Sequence, residues 1–138
     1  MLPGGGVALL RARPAVESLA KSLEGDERLG AQVVSRALEL PLRIIARNAG
    51  YEPGLVVRKV LSTRANEGFD ALRGEYVDMV EAGIIDPTKV VRCALQNAAS
   101  VAALLLSTDC LIADIPEKRD DDHVGHQHGG GPMGGMDF

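Results

Sequence analysis

Between residues 26 and 48 apolar side chains recur at three- and four-residue intervals: Leu29, Val33, Val34, Ala37, Leu38 and Leu40, then Leu42, Ile44, Ile45 and Ala46. That period places them on one face of a helix. Asp26, just after Gly25, is positioned to cap this helix, Pro41 to bend it and Gly50 to stop it. Upstream, Val7, Leu9 and Leu10, then Val16, Leu19 and Leu23, predict helices over Val7–Arg13 and Ala15–Leu23. Proline lacks the amide hydrogen and clashes with the preceding turn, so Pro14 predicts a kink or break between them. Glu52-Pro53-Gly54 opens a further short helix, with proline at a first-turn position and Leu55, Val56, Val57 and Val60 behind it.

The pattern then changes. From Ser62 to Tyr76 the turn residues Asn66, Gly68, Asp70 and Gly74 separate short apolar pieces, which predicts a hairpin or ordered loop. Helical spacing resumes over Tyr76–Ala82 and ends at Gly83. Asp86 and Pro87 carry two helix-start signals in order, a capping carboxylate and a first-turn proline. The helix they start extends to about Ser107. Its positions are so uniformly apolar, from Val90 and Val91 to Leu105 and Leu106, that it should be the buried centre of the bundle. Cys110–Ile115 alternates like a strand, which must pair with the 62–76 hairpin or with another chain. From Pro116 onward glycine and charge dominate, and disorder is the expectation. The fold class is therefore mainly α, a helical bundle with a small β-hairpin and strand element.

Composition refines this picture. The 138 residues are 46% apolar with 3% aromatics and no Trp, enough for one core built of aliphatic side chains. The 15 basic and 19 acidic residues leave a net charge of −4, with no overall electrostatic footprint for nucleic acid or anionic lipid. The N-terminus shows no secretory pattern, and the strongly apolar run Ala98–Leu106 falls short of the roughly 18 residues of a membrane span. A cytoplasmic chain without membrane partner is expected. Cys93 and Cys110 show no paired spacing and predict small buried thiols.

Gly83-Ile84-Ile85-Asp86-Pro87-Thr88-Lys89-Val90, the later stretch Ala94–Ala102, the opening Gly4-Gly5-Gly6 and the closing GGGPMGGMDF share an order and spacing. Together they resemble the C-terminal stretch of group I chaperonins of the GroEL type, over essentially the whole chain. The resemblance implies that residues 1–115 are the C-terminal half of an equatorial, ATP-binding domain and 116–138 its Gly/His/Met-rich tail. It implies ATP-dependent assistance to protein folding in the intact family. The N-terminal phosphate loops, the catalytic carboxylate and the intermediate and apical domains have no counterpart here, so neither folding activity nor ATPase is expected of this chain alone.

The resemblance also assigns residues. Gly5 matches a nucleotide-contacting glycine; Asp70, Ala71 and Leu72 match the loop at the adenine end of the pocket; Asp86 matches the carboxylate that accepts from the ribose hydroxyls. Asp70 stands where an amide is frequent, and Leu72 is bulkier than the usual small residue. Arg43 and Glu52 match positions where two stacked rings meet. The implied cofactor is ATP or ADP, weakly held, with Mg in an intact domain only. The implied partners are copies of the chain or intact chaperonin subunits, and co-chaperonin and client proteins in a full-length context. Taken without the resemblance, Gly4–Gly6 marks a joint, Asp86 a helix cap, and Arg43 and Glu52 solvated charges. His123, His126 and His128 lie in the tail at chelating spacing, but no dedicated metal site is expected. No catalytic triad or carboxylate pair stands out. Two functions remain: a chaperonin component, or a non-enzymatic module that self-associates or docks on a chaperonin.

Overall fold

A computed structural model describes residues 1–115. The expectation of a disordered 116–138 and the histidines within it fall outside these residues. The chain divides into two units, Met1–Leu106 and Ser107–Phe138. In the first, a two-residue strand β1 (Leu2–Pro3) leads into α1 (Val7–Ser22), α2 (Gly25–Ala37), α3 (Leu40–Asn48) and α4 (Pro53–Leu61). The strands β2 (Glu67–Asp70), β3 (Glu75–Asp78) and β4 (Ile85–Asp86) follow, and then α5 (Thr88–Leu106). The fold is mainly helical with small antiparallel strand pairs, as the apolar period indicated.

Pro14 does not break α1, which runs through it. Val7 and Leu10 on one side of it and Ala20 on the other are buried, while Pro14 itself faces solvent. Packing at both ends thus holds the axis across the missing hydrogen bond. Pro41, by contrast, does more than bend. α2 ends at Ala37 and a separate helix starts at Leu40, with Pro41 in its first turn where the absent donor costs nothing. Asp26 is not the cap of α2 but lies within its first turn, behind Glu24.

The core gathers Val7 and Leu10 of α1, Leu42 and Ala46 of α3, Val56, Val57 and Val60 of α4, with Phe69 and Met79 beneath them. It is aliphatic apart from Phe69, whose ring meets Tyr51 edge-on at 4.9 Å and Tyr76 at 5.3 Å. The β2–β3 hairpin pairs Glu67 with Asp78, Gly68 with Val77, Phe69 with Tyr76 and Asp70 with Glu75. Tyr76–Ala82 is therefore not a helix: its first residues complete the hairpin. The Asp78 carboxylate then accepts from the Val80 and Glu81 amides at 2.9 and 3.1 Å, closing a turn that ends at Gly83 with φ +73°. Seven residues are too few for a stable helix when strand pairing and a carboxylate-capped turn compete for them.

α5 has the expected extent but the opposite environment, since none of its residues is buried. Val90 and Val101 are 61% and 58% exposed, and Cys93 is exposed as well. A helix apolar nearly all round needs neighbours on every side, and none packs along it among the described residues. By length and composition alone it could cross a membrane, because the whole 19-residue helix and not only Ala98–Leu106 is apolar enough. In the second unit the described residues 107–115 contain no strand, so the strand expected over Cys110–Ile115 is not formed, and Cys110 is exposed.

Candidate functional site

Three turns meet at one edge of the core. The first is the glycine turn between β1 and α1. Gly4 N–H donates to Ile84 O at 2.9 Å and Val7 N–H to Gly4 O at 3.1 Å. Gly5 and Gly6 have φ of +64° and +80°, which L side chains rarely adopt. A Cβ on Gly6 would lie 2.7 Å from Leu42 N, so the triplet is a packed turn and not a loose joint. A Cβ on Gly5 would come within 3.0 Å of Met79 Cε and 3.8 Å of Phe69 O, next to the end of β2.

The second turn connects β2 to β3. Asp70 is 6% exposed, and its Oδ1 accepts from Leu72 N at 2.9 Å and Arg73 N at 3.3 Å. Gly74 N–H closes the turn on Asp70 O at 2.8 Å. This carboxylate shapes the loop from inside, while Leu72, at 94% exposure, projects from its tip.

The third is β4 and the start of α5. Leu2 pairs with Asp86 and Pro3 with Ile85. The amides of Val90 and Val91 donate to Pro87 O, so the helix is entered at Pro87, and Asp86 stands one residue outside it as part of a strand. Asp86 is thus not the cap the Asp-Pro pair suggested. Its half-buried carboxylate meets no donor among the described residues and is open to an external one. The β1–β4 pairing and the Gly4–Ile84 bond put Gly5 and Asp86 on one two-stranded ladder, with Gly5 three residues along from the Leu2–Asp86 pair, and Gly5 approaches the Asp70 loop at Phe69 O.

Arg43 and Glu52 lie elsewhere, on the rim of one open depression of about 530 Å³ that Arg47, Tyr51 and Pro53 also line. Glu52 caps α4, accepting from Gly54 N–H at 3.2 Å. Arg43 is held by Glu39, whose Oε2 accepts from its Nε at 2.8 Å while Oε1 takes the Arg13 guanidinium. Glu39 thereby joins α1 to α3, a role that no single segment of the sequence reveals. The Glu39–Arg43 half of it is legible as an i, i+4 pair. Arg11 reaches the C-terminal end of α4, its NH2 group 2.8 Å from Val60 O and 3.1 Å from Thr63 O. Nothing local in the sequence announces a contact across some fifty residues.

A family model described as the TCP-1/cpn60 chaperonin family matches residues 1–116. The chain belongs to that family. An open-state monomer of a group II chaperonin from Methanococcoides burtonii has the same fold, with a TM-score of 0.72 and 26% identity over 78% of this chain and 28% of that one. A group III chaperonin in the open state gives a TM-score of 0.73 and 36% identity, over 80% of this chain and 24% of that one. This chaperonin chain spans about a quarter of the length of those structures. The matches fix chaperonin membership and equatorial-type fold, and both structures are of groups other than group I.

Proposed function

We propose that this chain is the C-terminal part of the nucleotide-binding equatorial domain of a cytoplasmic group I type chaperonin, whose whole assembly folds client proteins at the expense of ATP. The group I reading rests on the residues Gly83–Val90 and Ala94–Ala102 and on the Gly/Met-rich tail. The observation that supports the nucleotide reading is the β1–β4 pairing, which carries the glycine turn and Asp86 at the two ends of one short ladder, the Asp86 carboxylate meeting no donor among the described residues. In this reading the Gly5 backbone approaches a phosphate, because a left-handed glycine offers its amide without steric hindrance. Asp86 accepts from the ribose hydroxyls, and the loop shaped by Asp70 presents Ala71 and Leu72 to the adenine.

In this reading magnesium is held only in an intact domain, between the nucleotide phosphates and one or two carboxylates. Phosphoryl transfer needs its charge held and its water positioned. This chain alone is therefore expected to bind adenine nucleotide weakly and to release no phosphate. Each missing charge-assisted contact removes about 1.5–3 kcal/mol. Calorimetry on the purified chain should show weak ATP binding that Asp86→Ala abolishes, with no turnover. Tight binding with hydrolysis, or binding indifferent to Asp86→Ala, would overturn the reading.

A second reading, a non-enzymatic module that self-associates or docks on an intact chaperonin, is favoured by α5, an apolar helix without a buried residue. Arg43 and Glu52 on one rim suit a contact between rings in either case. Sedimentation of the chain as a monomer at tens of micromolar would reject the module.

A further inference from the structure

α1 and α2 form an antiparallel pair joined by a two-residue turn, and the stripes they turn toward each other are unusual. On α1 the stripe is Arg13, Glu17 and Lys21; on α2 it is Arg28, Gln32 and Arg36. Each set recurs at i, i+4 and i+8 and so lies on one face. All six line one open cleft of about 340 Å³ with Ser35 on its floor. Facing stripes in a helical hairpin are ordinarily apolar or of opposite charge. Here four cations meet one carboxylate, in a chain whose net charge is −4.

That carboxylate is already engaged. Glu17 Oε1 lies 2.7 Å from Arg13 Nε and accepts from the buried Ser35 hydroxyl at 3.3 Å. Arg13 is further neutralised by Glu39. Among the described residues Lys21, Arg28 and Arg36 form no ion pair, so the cleft keeps three uncompensated charges. Arg28 and Arg36 stand about 12 Å apart along the helix axis, at 1.5 Å per residue. Extended side chains at that spacing are bridged by a chain of phosphoryl groups, with Lys21 and Gln32 lining the same cleft. Guanidinium groups suit such oxygens because they bind them in bidentate fashion.

We infer that the α1–α2 cleft is a second anion site, specific for an oligophosphate of two or three phosphoryl groups, held by Arg28, Arg36 and Lys21. It shares no residue with Gly5, Asp70–Leu72 or Asp86, so it stands or falls apart from the nucleotide reading.

The test is calorimetric titration of the full chain with sodium tripolyphosphate at low ionic strength. Saturable binding at one site is expected, with orthophosphate at least tenfold weaker and affinity falling as salt is added. Arg28→Gln with Arg36→Gln, both at exposed positions and checked for native circular dichroism, should weaken binding at least tenfold. Asp86→Ala should leave it unchanged. Absence of saturation, equal affinity for orthophosphate, or full binding by the double variant would overturn it. So would much tighter binding of single-stranded RNA that grows with its length, which would make the cleft part of a nucleic-acid track.

Discussion

At Gly68 an added Cβ would lie 2.5 Å from Val7 Cγ2 and 2.7 Å from Met79 Cγ, inside the core and opposite Val77 in the hairpin. Both neighbours are fully buried and have no room to retreat. Gly68→Ala should destabilise the chain by about 1–3 kcal/mol in urea unfolding. Gly30→Ala is the counterpart with the opposite sign. It sits inside α2 with nothing within 4 Å of its Cβ position, and helix propensity favours alanine there by about 0.5–1 kcal/mol. Tyr76 supplies a pH-dependent test. Burial raises its phenol above the usual tyrosine range. The neutral form is thus favoured in the folded state, and this contribution is fully present below the unfolded value near 10 and lost as pH rises through the higher folded value. Spectrophotometric titration should find Tyr76 ionising late, a phase absent in Tyr76→Phe, whose stability should fall less in alkali. Residue roles were the least legible feature of the sequence. Asp86-Pro87 carries a capping signature, yet strand pairing with Leu2 claims Asp86 instead, and that partner lies too far along the chain for any local pattern to reveal.

Among the elements, those with a strong local cause were legible. The hairpin around Gly68 and Gly74, the start of α4 at Glu52-Pro53 and the end of α3 before Gly50 each follow from side chains within a few positions. Those decided by competition were not: Tyr76–Ala82 had the spacing of a helix but a strand partner in β2, and Pro14 had the chemistry of a break but firm packing on both sides. α5 was correct in extent because its apolar run is long, and wrong in burial because cover depends on what lies against it. That exposure makes a prediction at this scale. Val90 and Val101 lie eleven residues apart, which returns to nearly the same helix face. Val90→Lys with Val101→Lys should lower the sedimenting mass of the chain and its binding of a hydrophobic dye. An unchanged assembly would place the association on another surface.

Across the whole molecule the chaperonin fold joins a local part to a non-local one. The hairpin and the α3–α4 pair are built from neighbours in sequence, and the core forms around them. The β1–β4 pair is different: Leu2 meets Asp86, so nearly the entire first unit must be in place before these two-residue strands can find each other. Closing a loop of that length costs more chain entropy than closing the hairpin, and only a few backbone hydrogen bonds offset it. The seam that joins the glycine turn to β4 should therefore form late in folding and open early. Native-state hydrogen exchange measures this directly. The Gly4 amide, bonded to Ile84 O, should exchange faster than the Met79 amide, bonded to Asn66 O beside the hairpin, and ATP should slow the former while leaving the latter unchanged. Occupancy of the cradle and the closing of the chain upon itself would then be a single equilibrium, in which a nucleotide works as the clasp.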